Sequence, residues 1–294
     1  SSPFQQNFLP YLPVVTYTGG VNTQVNAPSE KLVMSSPVET LKTATSAMAG
    51  KAGVANTKPL NTFLLAIAAG AYIGLGFIFF TTVQMGADKL PLGVAKLMGG
   101  LVFSVGLILV VITGADLFTS TTMSLIAKAS GRLSWAELLK HWAIVYVGNF
   151  VGSLLVVALA YFGNLQAGGK GAFGQVIVNT ATAKVSHTPI ESFVLGIGCN
   201  LLVCLAVWLT FAGKTVADKI LAIVGPISAF VAAGFEHSVA NMFMIPYGLI
   251  LGYGGQLTFS NFLLVNLLPV TLGNILGGGV FVGLFYWIIN RPAE

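Results

Sequence analysis

Charge is scarce in this 294-residue chain: 14 Lys and Arg with 9 Asp and Glu make up 8% of its residues, where an average globular chain carries roughly 25%. A soluble protein of this size has to coat its surface with charge, so a soluble fold is excluded. Cysteine is scarcer still. Cys199 and Cys204 share one apolar run, poorly placed to pair with each other and without metal-site spacing. The spans lack His-x-x-Glu-His, Gly-x-Ser-x-Gly and paired Asp, the clustered groups that metal binding or hydrolysis requires. An enzyme, a metal site and a cofactor are therefore not expected. Residues 1–29 carry no charge at all. They lack the basic start and apolar core of a secretory signal, and 1–33 is expected to be a polar tail, disordered or foreign to the natural chain.

What the chain does have is apolar surface and glycine. Hydrophobic types make up 55%, mean hydropathy is +0.85 and there are 35 glycines. Eight charged residues lie near the ends (Glu30, Lys31, Glu39, Lys42, Lys51, Lys58, Arg291 and Glu294), so 15 of the 23 serve everything between. The chain reads as an all-α integral membrane protein. About 20 apolar residues cross a bilayer as a helix, and six such regions occur, at roughly 61–83, 94–128, 136–163, 186–212, 216–250 and 259–290. They make one transmembrane domain over 59–290. Ser36 to Val54 is mildly amphipathic and predicts a short surface helix within 34–58, while 291–294 forms a short tail. A net charge of +5 would point a soluble chain toward nucleic acid. Here the basic residues occupy gaps between apolar runs, so membrane lipid is expected around the chain and no nucleic acid. With the N-terminus inside, ten of them (Lys31, Lys42, Lys51, Lys58, Lys128, Arg132, Lys140, Lys214, Lys219, Arg291) face the cytoplasm and four (Lys89, Lys96, Lys170, Lys184) face outward. That bias predicts cytoplasmic termini.

Spans two and five are too long for one straight helix, and both are interrupted in the same manner. One contains Gly114-Ala115-Asp116-Leu117-Phe118-Thr119, the other Gly234-Phe235-Glu236-His237-Ser238. Each sets an acid in mid-membrane, where charge is costly. The following spans echo one another too, with Gly148-Asn149-Phe150-Val151-Gly152 and Gly273-Asn274-Ile275-Leu276-Gly277. This is an internal repeat, and three spans per repeat require the two halves to be inverted. A break frees backbone groups that lipid cannot satisfy, so it has to face protein or a watery path. Asp116 and Glu236 have a structural role open to them, supporting each break by accepting N–H bonds from the half-helix that restarts there. Direct contact with a substrate is the other possibility. Repeats with matching breaks are the layout of transporters and channels. An aquaporin would carry two Asn-Pro-Ala motifs, and here Ala240-Asn241 is not followed by Pro.

Three stretches carry a family resemblance. Gly114-Ala115-Asp116-Leu117-Phe118-Thr119-Ser120-Thr121 resembles the broken second span of the formate/nitrite transporter family. Gly234-Phe235-Glu236-His237-Ser238-Val239-Ala240-Asn241, running on to Pro246, resembles the fifth, and Pro269 to Gly279 the sixth. The likeness extends from about Ser36 to Ile289. It implies an aquaporin-like fold, a homopentamer with one pore through each protomer, a bacterial inner membrane, and pH-gated passage of formate. Relatives pass nitrite, hydrosulfide, acetate or lactate, and the central opening of the ring is not the substrate path.

The resemblance also assigns roles to residues that have plainer ones available. His237 can be a satisfied structural histidine; by resemblance it is the central pore histidine, which can donate a hydrogen bond to a carboxylate or pass it a proton. Asn200 either ties helices together or partners His237. Thr119 either caps a half-helix or is the second polar group at the pore centre. Leu117 and Phe118 would form the cytoplasmic constriction, with 115–119 a mobile gating loop. Phe103 and Phe230 would form the periplasmic constriction, with Leu107 and Val203 lining the apolar pore; spacing alone makes all four core. Lys184, by composition a solvated loop lysine, is implied to attract anions at the outer vestibule. One histidine serves either a channel or a proton-coupled carrier, so that choice stays open.

Overall fold

A computed structural model of the chain describes residues 34–291; the polar tail expected over 1–33 and the end of the C-terminal tail, 292–294, lie outside the described residues. Apart from one isolated bridge between Gly254 and Leu257, the regular structure described is helical. The first helix, α1 (Pro37–Thr57), starts in a capping box. Ser36 Oγ accepts the Glu39 N–H, and the Glu39 carboxylate accepts the Ser36 N–H. These bonds satisfy donors that a helix start leaves free and hold the Glu39 carboxyl below the usual carboxylate range.

Then follow α2 (Pro59–Gln84), α3 (Leu92–Thr113), a short α4 (Phe118–Thr121) and, after a 3-10 turn over Thr122–Ser124, α5 (Leu125–Ala129). Next come α6 (Trp135–Phe162), α7 (Ala172–Val185), α8 (Pro189–Ala212), α9 (Val216–Ala233) and α10 (Ser238–Gly252). The last stretch holds α11 (Leu268–Asn274) and α12 (Phe285–Asn290), each preceded by a π-helical segment, Asn261–Leu267 and Ile275–Leu284. Among the described residues, six helices are long and apolar enough to cross a membrane: α2, α3, α6, α8, α9 and the continuous run Asn261–Asn290. Each overlaps one of the six regions read from hydropathy, with α2, α3 and α6 starting one or two residues earlier than expected.

Helix α7 is absent from that reading. It is too short and too polar to span, with Gln175, Asn179, three alanines and two threonines in 14 residues. It folds because Phe173, Ile177, Ala181 and Val185 recur every fourth residue and make one buried face, which packs on α10. Three crossings separate α7 from α1, so the two lie on opposite sides of the membrane-spanning body.

Between helices in lipid there is little hydrophobic driving force, so close backbone contact has to do the work. The paired Gly-Asn motifs supply it. A Cβ on Gly152 of α6 would run into the Ile67 carbonyl of α2, and one on Gly277 into the Ile197 carbonyl of α8. The two contacts are counterparts: third span on first, sixth on fourth. Gly152→Val is therefore expected to force α2 and α6 apart, at a cost of about 1–3 kcal/mol or more. Thermal unfolding of the detergent-solubilised protein measures it, and an unchanged midpoint would contradict the close crossing.

Candidate functional site

The site is built where two long apolar helices, α3 and α9, stop a few residues before the next helix begins. Helix α3 ends at Gly114 (φ 76°) and α9 at Gly234 (φ 78°), both left-handed, a conformation that glycine adopts without steric penalty. In each case the next two N–H groups turn back onto the helix. Gly114 and Ala115 donate to Val111 and Val110, and Gly234 and Phe235 to Val231 and Phe230. The chain then runs extended for a few residues and restarts as α4 and α10.

The restart is where the expectation for the acids needs correcting. Asp116 and Glu236 do not cap the new helices. The caps come from Asn149 on α6 and Asn274 on α11. Asn149 Oδ1 accepts the Phe118 N–H at 2.8 Å, while its Nδ2 donates to the carbonyls of Asp116 and Ala66, each at 2.8 Å. Asn274 repeats the pattern: Oδ1 accepts from Ser238 N at 2.9 Å, and Nδ2 donates to the carbonyls of Glu236 at 3.0 Å and Gly196 at 2.8 Å. Backbone bonds complete the symmetry, Asp116 N to Leu65 O at 3.3 Å and Glu236 N to Leu195 O at 3.2 Å. A primary amide suits this task because it offers two donors and an acceptor at once; a carboxylate has no donor for the freed carbonyls.

The acids are instead bound to lysines. Asp116 pairs with Lys51 of α1, whose Nζ also donates to the Ala115 carbonyl at 3.1 Å. Glu236 accepts from Lys184 Nζ at 2.9 Å, Asn241 Nδ2 at 2.6 Å and Asn266 Nδ2 at 3.1 Å. Lys184 is thus a residue of α7, with its side chain 12% exposed, and not a solvated loop lysine. Sequence reasoning missed Lys51, Asn241 and Asn266 as partners and left Asn149 and Asn274 as unexplained echoes. The matched Gly-Asn spacing was the available signal for the last two.

A cavity of about 410 Å³ reaches inward from the α7 side to this node. Phe103, Phe230, Lys184, Glu236 and His237 all line it, with Phe77, Phe80 and His187. The Phe103 and Phe230 rings meet edge to face at 5.8 Å, and the His237 ring stacks on Phe230 at 5.9 Å. His237 Nδ1 accepts the Ala240 N–H at 3.1 Å and so caps α10. That bond assigns the ring proton to Nε2, which lies 3.0 Å from Thr119 Oγ1. His237 and Thr119 are therefore brought together. Asn200 is not bonded to His237: its Nδ2 lies 3.0 Å from the Thr119 carbonyl, 3.0 Å from Thr122 Oγ1 and 2.6 Å from the Asn274 carbonyl. This is the helix-tying role, one step removed from the histidine. Leu107, Val203, Leu117 and Phe118 are buried but do not line the cavity. Phe118 packs edge to face on Tyr146 at 4.8 Å and on Trp142 at 6.2 Å.

A sequence profile of the formate/nitrite transporter family matches residues 38–288. The chain is 48% identical over 267 residues to the Escherichia coli K12 protein named formate channel FocA, a match covering 85% of this chain and 94% of that one. A solved structure described as a pentameric formate channel with formate bound is similar at 44% identity and a TM-score of 0.74, covering 81% of this chain and 100% of that one. Another, described as an FNT family ion channel, is similar at 33% identity and a TM-score of 0.78, covering 85% and 98%.

The ion pair at the cavity wall makes a test. Lys184→Met leaves Glu236 buried without its cation, which is expected to lower stability by about 3–5 kcal/mol. The double change Lys184→Met/Glu236→Gln is expected to recover much of the loss. Thermal unfolding in detergent compares the two, and a double variant no more stable than the single one would place the loss elsewhere.

Proposed function

The chain belongs to the formate/nitrite transporter family, and on that premise we propose that it is a membrane channel that carries formate through a pore in each protomer of a homopentamer. It acts as a transport protein and not as an enzyme. It sits in a bacterial inner membrane with both termini cytoplasmic, an orientation supported by the ten-to-four bias of Lys and Arg. Its two halves, inverted relative to each other, bring the breaks after α3 and α9 to the middle of the pore. The observation that carries this reading is the cavity that runs between two phenylalanines to a histidine held by a helix start.

Formate enters between Phe103 and Phe230, where an anion loses water. The α10 N-terminus offsets part of that loss, since a helix start carries a partial positive charge. Lys184 contributes less than a bare lysine would, because Glu236 already shares its charge. His237 lines the end of the cavity and the Thr119 hydroxyl lies 3.0 Å behind it, so that together they offer two donors. His237 carries a proton on Nε2, and the Thr119 hydroxyl, which now accepts from it, has its own hydrogen to give. Formate has two oxygens to meet them. Beyond this point Leu117 and Phe118 form the constriction toward the cytoplasm, and 115–119 is the gate. All five of its residues are buried, which supports a closed gate. Leu107 and Val203 line the pore once it opens.

The geometry favours hydrogen bonding over proton donation by His237. Giving up the Nε2 proton while Nδ1 is engaged by Ala240 would leave an imidazolate, a very strong base. An imidazolium, conversely, carries a proton on Nδ1 and cannot accept the Ala240 N–H. Protonation therefore breaks the cap on α10, and pH gating follows from that coupling. A proton-coupled formate carrier is one alternative reading, and a nitrite or hydrosulfide channel of the same family is the other.

Formate uptake into proteoliposomes tests these roles. His237→Ala is expected to lower the flux about tenfold or more, the scale of one hydrogen bond to a charged group. His237→Gln, which keeps an N–H donor, is expected to retain more. Equal flux in wild type and His237→Ala at every pH would overturn the role of the histidine. Equal loss in both variants, with electroneutral flux that follows the proton gradient, would favour the carrier.

A further inference from the structure

On the α1 side, remote from the cavity described above, Lys42, Arg132 and Arg291 come together around a second cavity of about 480 Å³. Its walls are α1, the turn between α5 and α6, and the end of α12. Two hydroxyls and an indole hold the cations in place. Arg132 Nη1 donates to Ser46 Oγ at 3.0 Å, Trp287 Nε1 donates to Ser130 Oγ at 3.0 Å, and the Arg291 guanidinium lies 4.6 Å from the centre of the Trp287 ring. Five residues of very different sequence position are thereby fixed without an acid among them.

Among the described residues, no acidic residue lines the cavity. The ion pairs found among the described residues are Lys51 with Asp116 and Lys184 with Glu236, neither of them here. Glu39, one turn from Lys42, is engaged in the capping box at Ser36. Three like charges facing one space repel each other and call for a counter-anion. Two guanidinium forks and an ammonium match an oxyanion with several oxygens, phosphate above all, since the forks bind such groups two bonds at a time.

The position of the cavity narrows the source. Arg291 directly follows the last residue of a span, so the cavity lies at the membrane boundary. Phe285, Ile288 and Ile289, on the same final turns, are 56%, 61% and 58% exposed, an apolar surface leading up to the cations. Basic pockets between span ends are of the kind that holds lipid head groups. We propose that this cavity binds the phosphate group of an anionic phospholipid, with Arg132 and Arg291 on its oxygens and the acyl chains along α12.

The test uses the full chain in a neutral detergent, with the melting temperature followed as dioctanoylphosphatidylglycerol, dioctanoylphosphatidylcholine or inorganic phosphate is added. The anionic lipid is expected to raise the midpoint saturably, and the zwitterionic lipid much less. Arg132→Gln/Arg291→Gln is expected to weaken the apparent affinity at least about tenfold, with Arg132→Lys intermediate; Lys42→Gln serves if the double variant fails to assemble. A response to inorganic phosphate equal to that for the lipid keeps the phosphate site but assigns it to the free ion. Equal responses to both lipids, or no change of affinity in any of these variants, would overturn the proposal. So would a site that opens only after Glu294→Gln, because the anion would then be the chain's own.

Discussion

A helix that stops inside a membrane exposes N–H and C=O groups to a medium that offers no partner, and each costs several kcal/mol if left alone. Everything around the two breaks in this protein answers that constraint. The left-handed glycines turn two N–H groups back onto each ending helix. An asparagine from the neighbouring span takes the first N–H of each new helix and feeds hydrogens to two carbonyls. These amides work only if their own helices come close, and the glycines beside them on α6 and at the end of α11 let backbone meet backbone. The Gly-Asn-x-x-Gly motif is one device with two parts, close approach and capping.

The buried charges follow from the same constraint. Asp116 and Glu236 look expensive in lipid, and their own helix starts do not hold them. Each has drawn a lysine from outside the spans, Lys51 from α1 and Lys184 from α7. Ion pairs of this kind add little net stability, because desolvation offsets most of the attraction. What they add is attachment. The pairs tie the two non-spanning helices to the two breaks, so each of these helices is anchored where a long helix stops.

Much of this was legible in the sequence. Six apolar regions, the two glycine-x-acid interruptions and the paired Gly-Asn motifs can all be read from composition and spacing, because each depends on the local chain. The partners were not legible. Lys51 and Asp116 are 65 residues apart and Lys184 and Glu236 are 52 apart, and nothing local in either lysine marks the acid it will meet. Helix α7 escaped notice because its apolar face is only four residues in a polar segment, too weak a signal beside spans of 20. The assignment of the acids as caps failed for a chemical reason: a carboxylate can take an N–H but cannot satisfy a carbonyl, and these breaks present both.

The two breaks also differ at one position. Position by position the two breaks agree: glycine, extended residue, acid with a lysine, helix start bonded by asparagine. They differ at the residue just before each new helix, which is Leu117 in the first half and His237 in the second. Leu117 makes no side-chain cap. His237 caps α10 through Nδ1 and presents its other nitrogen to Thr119. A scaffold needs only one kind of residue here, and leucine serves, so the histidine is not explained by the demands of the break. It binds the helix start and the polar end of the cavity into one ring of five atoms. Any change of charge on that ring reaches the α10 backbone directly, without a longer path of coupled residues.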